Sequence, residues 1–463
     1  MYENHYKRLA SDIIIFIIGT VLAKAIQFIL MPLYTTYMTP EEYGVAELTN
    51  YLSELFFPIS TLCIYEAAFR FSVDTDFDNN RLATAVAKVM IRSIFIGLTV
   101  TIVCKFVFHY QYAFYLYFIL YAYSLRMCVA YYVRGNGYSM IFAMSGVVYA
   151  LSLSAFNFLF LIIFRKSVNG YLLSIGLSDC VSVIYLVWRG KIFQDIIFKT
   201  DSKDDLKILF KYCIPLIFYN VLYWFTTVSG RYILQWFTDF STAGKYVAAI
   251  KISAVINMFQ QAIYLAYQLN SSRVFNEDKR EKYYTEITNL FISLYCTIGA
   301  VVVCCTPILA KITLKNDFYD ARIYLPAIIL AALINCISSM LGTMYSTYKK
   351  THRMVGVSII GAGINIAFSI VLTPIIGTWG VCIASICCYF SQTIYKFIDI
   401  KKFCKIEYNW VIIIPNICLL TLQVLFMSVN LYGSLFGSII IAILLFIINF
   451  KYILYTFKQF FCN

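Results

Sequence analysis

The chain has 463 residues, of which 61% are hydrophobic and only 13% are charged, and its mean hydropathy is +0.75. Soluble domains carry about 25% charged residues, so this composition excludes a water-soluble globular protein and indicates a polytopic membrane protein. The net charge of +13 does not indicate nucleic-acid binding, because most Lys and Arg lie in short loops beside hydrophobic segments. Apolar runs such as Ile13–Ile18 do not alternate with polar residues, which favours helices over barrel strands.

Fourteen apolar segments follow one another along the chain, and each is about long enough, at roughly 20 residues, to cross a bilayer as a helix. They cover residues 11–33, 43–66, 84–107, 112–133, 139–164, 171–189, 212–236, 243–269, 284–310, 322–348, 353–375, 378–398, 409–428 and 433–456. These segments predict an all-α polytopic membrane protein with fourteen transmembrane helices. The first segment runs to about Leu33 without a small-residue cleavage site, so we expect a spanning helix rather than a signal peptide.

The cationic residues of the loops divide unequally between the two sides of the membrane. When the loops are assigned alternately, 24 Lys and Arg fall on the side of the N-terminus, including Lys396 at the end of the twelfth segment. The other side receives Lys105, Arg165, Lys166, Lys311, Lys315 and Arg322. Loops rich in Lys and Arg stay in the cytoplasm, so both termini are predicted to be cytoplasmic. An odd number of spans would destroy this asymmetry.

An internal repeat divides the chain into two halves of the same orientation. Gly44 after the first segment corresponds to Gly244 after the seventh, and Gly170 before the sixth corresponds to Gly380 before the twelfth. Six segments separate the copies, which predicts a parallel repeat around an axis along the membrane normal. We predict an N-terminal six-helix bundle over residues 1–190, a cytoplasmic connector over 191–211, a C-terminal six-helix bundle over 212–398 and two additional transmembrane helices over 399–463.

The cysteine and histidine content does not predict a metal site. The 15 Cys are scattered mostly within apolar segments without a CxxC motif, and the three His form no cluster with metal-ligand spacing. Buried free Cys behaves as a small hydrophobic residue, so we predict neither a metal nor a cofactor. The extracytoplasmic loops are too short to hold a catalytic module, and we predict that the protein is not an enzyme.

Two short segments near the N-terminus carry a family resemblance. Ala23–Phe28 reads AKAIQF and Met38–Ala46 reads MTPEEYGVA. They resemble the start of polysaccharide-biosynthesis flippases, which typically read L-x-P-x-x-Y-G between helices one and two. The chain is similar to these proteins in length, in its number of spans, and in having two parallel halves and an extra pair of helices. The branch that it resembles is the Wzx-type O-antigen flippases of the multidrug/oligosaccharidyl-lipid/polysaccharide exporter superfamily.

The resemblance implies a transport function. Such proteins move undecaprenyl-diphosphate-linked oligosaccharides, the repeat units of O-antigen, capsule or exopolysaccharide, across the bacterial inner membrane. They look like two six-helix bundles that form a V and open alternately to each side. The expected partners are the lipid-linked oligosaccharide, membrane lipids, H⁺ or Na⁺ as the coupling ion, and a polysaccharide polymerase with its chain-length regulator. The diphosphate and sugars need a wet, cationic path, whereas the prenyl tail is soluble in lipid.

Seven cationic residues remain inside the predicted spans: Lys24, Lys88, Arg92, Arg126, Arg231, Lys245 and Lys251. An ionised group at mid-bilayer costs at least about 2.5–3.5 kcal/mol, so such groups usually face a cavity. In the family that the chain resembles, spans one, two, seven and eight line the central cleft. We therefore predict substrate binding by Lys24, Gln27, Arg231, Lys245, Lys251, Arg126 and Arg92. The alternatives are snorkelling to the interface, above all for Lys88, and a structural pairing for Arg126.

Three acidic residues are candidates for ion coupling: Glu54, Glu47 and Asp179. Glu47 and Glu54 are seven residues apart and share a face of the second span. Burial and a neighbouring cation such as Lys24 act on such a carboxyl in opposite directions, which would poise it to exchange a proton. A static salt bridge is the alternative for both glutamates, and a bond to a neighbouring helix is the alternative for Asp179.

Three other functions compete with an O-antigen flippase. A multidrug exporter of the same superfamily would have twelve spans and an acidic cavity, whereas a peptidoglycan-precursor flippase would share the fourteen-span plan and the cationic cleft. A membrane glycosyltransferase or polymerase would need a large extracytoplasmic loop, which the chain lacks. Substrate specificity is expected to come from cavity shape and from polar side chains such as Asn157, Asn220, Asn257 and Asn365.

Overall fold

The computed structural model describes residues 25–26, 28–72, 78–194, 203–254, 256–257, 260, 280–348, 350, 352–428 and 434–461. Of these residues 90% are helical and none lies in a strand, which confirms the predicted all-α class. Within the same residues, ten helices are long and apolar enough to cross a membrane, or eleven if one bent pair forms a single span. The predicted count of fourteen is not tested, because most of the first segment and part of the eighth lie outside these ranges.

The chain divides into two compact units, Met1–Trp224 and Phe225–Asn463. The boundary falls inside one long helix that begins before it and ends after it. The six-plus-six-plus-two division predicted from the sequence stays a prediction, and each unit is described by itself below.

The described residues of unit 1 form seven helices and the first part of an eighth. They are α1 (Met31–Tyr37), α2 (Pro40–Ser60), α3 (Ile64–Ser72), α4 (Asn79–Phe108), α5 (Ala113–Gly135), α6 (Ser139–Asn157), α7 (Ser167–Gly190) and α8 (Lys203–Phe237), of which α8 belongs to this unit up to Trp224. A π-helical turn, Phe158–Ile163, extends α6, and a 3₁₀ turn, Ile192–Gln194, follows α7. The helix α5 packs against α7 and α3, and α6 packs against α7, so these helices form the core of the unit.

The start of α2 explains the sequence pattern that carries the family resemblance. Thr39 caps the helix: its Oγ1 accepts a hydrogen bond from the Glu42 amide at 3.2 Å, and the Glu42 carboxylate accepts from the Thr39 amide at 2.9 Å. This reciprocal arrangement satisfies two amides that a helix end otherwise leaves without partners. Pro40 occupies the first helical position, where its missing N–H costs nothing. The motif is therefore a helix-start signal.

The second predicted span, residues 43–66, is broken near its end. The helices α2 and α3 meet at an angle of 60°, and the connecting residues Leu62 and Cys63 have φ values of 50° and 53°. Residues with side chains rarely adopt this left-handed conformation, which costs of order 1–3 kcal/mol each. Pro58, near the end of α2, removes one helical hydrogen bond just before the break.

In unit 2, the residues that the structure describes form the end of α8 and eight further helices. They are α9 (Phe240–Ile252), α10 (Arg280–Cys304), α11 (Thr306–Thr313), α12 (Leu325–Thr347), α13 (His352–Ile376), α14 (Thr378–Ile400), α15 (Trp410–Ser428) and α16 (Ser434–Phe461), with a 3₁₀ segment, Asn316–Tyr324, before α12. The range Asn316–Tyr345 joins the 3₁₀ segment to most of α12. In its most apolar stretch 83% is buried inside the protein, so α12 is the central helix of this unit. The longest contact between helices in the unit is that of α13 with α14.

Helix starts and helix crossings repeat between the two units. Asp239 caps α9 by accepting a hydrogen bond from the Thr242 amide at 2.6 Å, and Asp239 lies 200 positions after the cap Thr39. Gly170 and Gly380 each lie where a helix touches the one before it. A Cβ on Gly170 would lie 2.9 Å from the Phe160 Cβ, and one on Gly380 would lie 2.6 Å from the Leu372 carbonyl carbon. Both units therefore have a capped helix start and a close contact between helices at corresponding positions of the sequence repeat.

The two helices at the end of the chain pack against α10 through buried amides. The side chains of Asn416 on α15 and Asn449 on α16 exchange two hydrogen bonds, of 2.9 and 2.8 Å, and Asn449 also donates to the Thr297 hydroxyl. Gln423 on α15 donates to the carbonyl oxygens of Ala300 and Ser438 at 3.0 and 3.1 Å. These contacts make α15 and α16 an integral part of unit 2.

Candidate functional site

Eight of the charged residues predicted to act in transport lie in the described part of the chain. Unit 1 holds Glu47, Glu54, Arg92, Arg126 and Asp179, and unit 2 holds Arg231, Lys245 and Lys251. Lys24 and Gln27, which were predicted to bind the substrate head group, lie outside the described residues. The geometry below therefore concerns the remaining candidates.

Glu47 lies at the centre of a cluster of tyrosines in unit 1. Its side chain is fully buried, and its Oε1 accepts hydrogen bonds from Tyr43 at 3.1 Å and from Tyr171 at 2.5 Å. The ring of Tyr34 packs against both tyrosines, with centroid distances of 5.9 Å to Tyr43 and 5.0 Å to Tyr171. These contacts connect α1, α2 and α7 around one carboxylate, and we call them the Glu47 cluster.

The Glu47 cluster extends to α6 through an amide. Asn157 is fully buried, and its Nδ2 donates to the Tyr34 hydroxyl at 3.1 Å. Its Oδ1 has no hydrogen-bond partner among the described residues. A buried polar atom without a partner costs about 1–3 kcal/mol, so this oxygen is available to a water or an ion. The sequence singled out Glu47 and Asn157 separately, and the tertiary structure joins them through Tyr34.

Arg126 and Asp179 form an ion pair between α5 and α7. The Arg126 Nε donates to the Asp179 Oδ1, and Asp179 is almost entirely buried, with 1% of its side chain exposed. The Arg126 guanidinium also packs on the rings of Tyr149 on α6 and Tyr123 on α5, at 4.5 and 5.2 Å from the centroids. A desolvated guanidinium gains from such aromatic faces. Separate roles were predicted for these two residues from the sequence, whereas in the structure they are in direct contact.

The ion pair leaves one oxygen of Asp179 without a hydrogen bond. Among the described residues no donor lies within hydrogen-bond distance of the buried Asp179 Oδ2. A carboxylate oxygen in this position is the atom to which a proton would add while the Oδ1 contact with Arg126 is still in place. Removal of the negative charge of Asp179 would leave the Arg126 cation without its counter-charge inside the membrane-spanning part of the protein.

Glu54 and Arg92 differ from these buried residues in being exposed. Glu54 lies two helical turns beyond Glu47 on α2, and Arg92 lies on α4. Lys88, one turn before Arg92, is half-buried. Exposure within a spanning helix means that the side chain faces lipid or a water-filled space rather than the core of its own unit.

The candidate cations of unit 2 occupy less buried positions. Lys245 on α9 donates to Asp320 in the 3₁₀ segment at 2.8 Å, in a pair whose Asp320 side chain is 70% exposed. Such a pair contributes little to stability because water screens it. Arg231 on α8 and Lys251 at the end of α9 are half-buried.

Asn365, which was expected from the sequence to contribute to substrate specificity, begins a row of buried oxygens on α13 whose other members were not predicted. Asn365 donates to the Thr226 carbonyl oxygen at 2.8 Å, whereas its own Oδ1 has no hydrogen-bond partner among the described residues. The hydroxyls of Ser369 and Thr373, one and two turns later, are equally buried and equally without partners. Gly230 on α8 lies beside them, since a Cβ there would lie 3.5 Å from the Ser369 Oγ and 2.7 Å from the Val381 Cγ1. These oxygens could accept from a water or hold a monovalent cation.

Lys396 contradicts its assignment to a cytoplasmic loop. It lies within α14, is 8% exposed, and its Nζ donates to the carbonyl oxygen and the hydroxyl of Ser338 on α12, both at 2.8 Å. A Cβ on Gly342 would lie 3.6 Å from this Nζ, so the small residue one turn after Ser338 gives the lysine its space. Position near a helix end suggested a loop residue, and only the packing of α12 places it inside.

Metal-binding groups are absent from the part of the chain that the structure describes, since no three His, Cys, Asp or Glu side chains come close enough to share an ion. The described cysteines are all free, and most are buried or half-buried. Their sulfurs act as weak hydrogen-bond partners, as in the contact of the Cys213 thiol with the Cys63 carbonyl oxygen at 3.3 Å.

Comparison with known proteins places the fold among membrane transporters. Residues 215–371 match the MatE family, and no curated protein matches the chain. Among solved structures, the lipid II flippase MurJ in an inward closed conformation is similar with a TM-score of 0.67 and 13% identity, over 97% of this chain and 99% of that one.

Two transporters of the MOP superfamily are also similar. An inward-facing multidrug resistance MATE family transporter aligns with a TM-score of 0.64 and 12% identity, over 83% of this chain and 95% of its own. A transporter from Pyrococcus furiosus, described as having a binding pocket of reversed polarity, aligns with a TM-score of 0.57 and 12% identity, over 84% of this chain and 95% of its own. The chain is therefore a multi-pass membrane protein with the fold of MATE transporters and the MurJ flippase.

Proposed function

We propose that this protein is a flippase that moves polyprenyl-diphosphate-linked oligosaccharides, the repeat units of a surface polysaccharide, across the bacterial inner membrane by alternating access. The observation that carries this proposal is the extent of the likeness to the lipid II flippase. That likeness covers 97% of the chain and so takes in most of α15 and α16, whereas the likeness to the multidrug transporter covers 83%.

The charge inside the spans supports an anionic head group. Seven Lys and Arg lie within the predicted spans, where a diphosphate would meet them during transfer. Guanidinium and ammonium groups bind phosphate by charge-assisted hydrogen bonds, which are stronger than neutral ones. The segment Met38–Tyr43, which resembles polysaccharide-biosynthesis flippases, favours an oligosaccharide repeat over a peptidoglycan precursor.

The geometry suggests how an ion would be coupled to transfer. Arg126 is neutralised by Asp179, so it is not free to bind phosphate in this state. A proton on the Asp179 Oδ2 would remove the counter-charge, and the guanidinium would then attract an incoming diphosphate. Release of the proton would restore the ion pair and expel the anion. Glu47, whose Oε1 accepts two tyrosine hydroxyls, is the second candidate for proton exchange.

Two other substrates fit the same fold. A lipid-linked peptidoglycan precursor shares the diphosphate and the prenyl tail, and it is favoured by the likeness to the lipid II flippase over 97% of the chain. An organic cation is favoured by the match of residues 215–371 with the MatE family. The excess of cations within the spans argues against the organic cation, because like charges repel.

The test is complementation with a matched pair of variants. A host that lacks its own flippase receives this chain together with the enzymes that make a lipid-linked repeat unit, and surface polysaccharide and trapped intermediate are measured. We expect wild type and Lys166→Ala, a change in an exposed loop residue, to restore surface polysaccharide. Lys24→Ala, expressed equally, should leave the intermediate on the cytoplasmic leaflet.

The outcomes separate the candidate functions. Wild type that clears no lipid-linked oligosaccharide but replaces the essential peptidoglycan-precursor flippase would assign the second substrate. Wild type that does neither but raises resistance to cationic drugs would assign a multidrug exporter. A Lys24→Ala variant as active as wild type would keep the flippase and remove Lys24 from the site.

A further inference from the structure

A partly open groove runs along α4 in unit 1, with a volume of about 850 Å³. Its lining on α4 begins at Val89 and ends at Phe108, and α2 and α5 form the other walls. At a rise of about 1.5 Å per residue, these positions span roughly 28 Å, close to the thickness of the hydrocarbon core of a bilayer. We call this space the α4 groove.

The walls of the α4 groove are mostly apolar. Ile96, Val100 and Phe108 are among the exposed hydrophobic residues that line it. Arg92 is the one Lys, Arg, Asp or Glu among the lining residues, and it is exposed. No acidic side chain within the described ranges lies within 4.0 Å of it. The groove thus combines a long apolar channel with a single uncompensated positive charge near its Val89 end.

Hydrogen bonds between helices fix the walls of the groove relative to one another at the Arg92 end. The Ser93 hydroxyl donates to the Ser60 carbonyl oxygen on α2 at 2.5 Å, and the Tyr121 hydroxyl on α5 donates to the Ser93 carbonyl oxygen at 2.6 Å. Gly97 allows this approach, because a Cβ there would lie 2.0 Å from the Tyr121 hydroxyl oxygen. The groove therefore has walls formed by three helices that are joined by hydrogen bonds.

We propose that the α4 groove binds the polyprenyl tail of the transported lipid, with the first phosphate of its head group at Arg92. The inference rests on the proposed function, since it names where the apolar part of that substrate lies during transfer. An unbranched path of this length and volume suits one extended chain, and an arginine without a counter-charge suits a phosphate.

The length of the α4 groove favours a transported lipid over a resident phospholipid. Val89 and Phe108 are roughly 28 Å apart along the helix axis, nearly the full thickness of the hydrocarbon core. A phospholipid keeps its head group at the interface, and its two acyl chains reach only to the middle of the bilayer. A polyprenyl carrier has one long chain, so it can fill the whole groove while its phosphate contacts Arg92, about 5 Å inside the Val89 end.

Tail binding can be tested on the full-length protein in lipid nanodiscs with a polyprenyl diphosphate that carries a photoreactive diazirine on its tail. Val100→Trp fills the groove, whereas Val103→Trp places the same side chain outside it. The two valines lie on the same helix and are 54% and 59% exposed, but only Val100 lines the groove. We expect Val100→Trp to raise the Kd by on the order of tenfold or more and to abolish labelling of α4, and Val103→Trp to bind as wild type does.

The head-group contact has its own test. Arg92→Gln should weaken binding of the diphosphate probe about tenfold but leave the affinity for the uncharged polyprenol unchanged, because only the charged head loses a partner. Unlabelled polyprenyl diphosphate should compete with the probe, whereas phosphatidylglycerol and inorganic pyrophosphate should not. Equal competition by phosphatidylglycerol, or equal losses in the two tryptophan variants, would overturn the proposal.

Failure of this inference differs from failure of the proposed function. If Val100→Trp and Val103→Trp both restore surface polysaccharide and bind the probe as wild type does, the flippase function is supported and the tail-binding groove is rejected. A different result is that wild type restores no polysaccharide while Val100→Trp, but not Val103→Trp, abolishes probe binding. That result would support the groove as a prenyl-binding site and reject the flippase function.

Discussion

Arg126 and Asp179 form an ion pair that joins α5 to α7 inside unit 1, with the guanidinium packed on Tyr149 of α6. Only 16% of the arginine side chain and 1% of the aspartate side chain are exposed. This one interaction therefore connects three of the helices that form the core of the unit. The same interaction neutralises a cation that a diphosphate substrate could otherwise bind.

Breaking the Arg126–Asp179 pair from one side should destabilise the protein strongly. Asp179→Ala leaves the arginine charge buried without a partner, which costs about 3–5 kcal/mol. Arg126→Met with Asp179→Leu removes both charges and should recover most of this loss. The measurement is the midpoint temperature of thermal unfolding of the detergent-purified variants. Asp320→Ala, which breaks the solvent-exposed pair with Lys245, is the control and should cost no more than about 1 kcal/mol.

Glu47→Gln should separate a coupling role from a structural one. Glutamine keeps the shape of the side chain and an oxygen that can accept from Tyr43 and Tyr171, so thermal stability should fall by no more than about 1 kcal/mol. If Glu47 exchanges a proton, export of lipid-linked oligosaccharide should fall by on the order of tenfold or more, because an amide cannot ionise. Tyr171→Phe should show the opposite pattern, with a stability loss of about 1 kcal/mol and export retained. Normal export by Glu47→Gln would make this residue purely structural.

Gly380→Ala tests the helix crossing at the end of the second half. The added methyl would lie 2.6 Å from backbone atoms of Leu372 and Thr373, which cannot move without shifting α13. We expect a loss of about 1–3 kcal/mol in thermal unfolding experiments, the usual cost of overpacking. Gly363→Ala on the neighbouring helix meets no atom within 4 Å and should be neutral or stabilising by up to about 1 kcal/mol. Equal stability of the two variants would contradict the close contact.

The amide pair of the last two helices should behave as a coupled unit. Asn416→Leu removes one partner of Asn449 and should cost about 1–3 kcal/mol, as should Asn449→Leu. The double variant should lose less than the sum of the two, because leucine replaces both amides and one unsatisfied group disappears. A double-mutant cycle on unfolding temperatures measures this coupling. Additive losses would mean that the two asparagines act independently.

Most of the fold follows from hydrophobic patterning. The predicted segments 112–133, 139–164, 378–398 and 409–428 agree with helices of the structure to within a few residues. The second segment was predicted as one continuous helix, whereas Leu62 and Cys63 adopt left-handed backbone conformations and bend the chain by 60°. Hydropathy cannot register such a break, because the bent and straight helices bury the same residue types.

Only part of the candidate site could be predicted from the sequence. Charges inside spans single out Arg126, Asp179 and Glu47, because each is costly in hydrocarbon wherever it lies. Their partners could not be identified, because Tyr34 and Tyr171 are two among 39 tyrosines that read equally well as interfacial residues. Burial of Lys396 was missed for the related reason that its compensation is a carbonyl and a hydroxyl of Ser338, not an acid.

Composition and hydropathy predict the class of protein, the position of most of its helices and the surplus of positive charge within them, because the hydropathy of a spanning helix depends on composition over a window of one helix. The tertiary structure decided which charges are neutralised and which face open space. Arg126 and Arg92 are the same residue type in neighbouring spanning helices, yet one is paired with Asp179 and the other lines the α4 groove. That difference depends on side chains brought together from helices about 50 residues apart, and no local pattern records it.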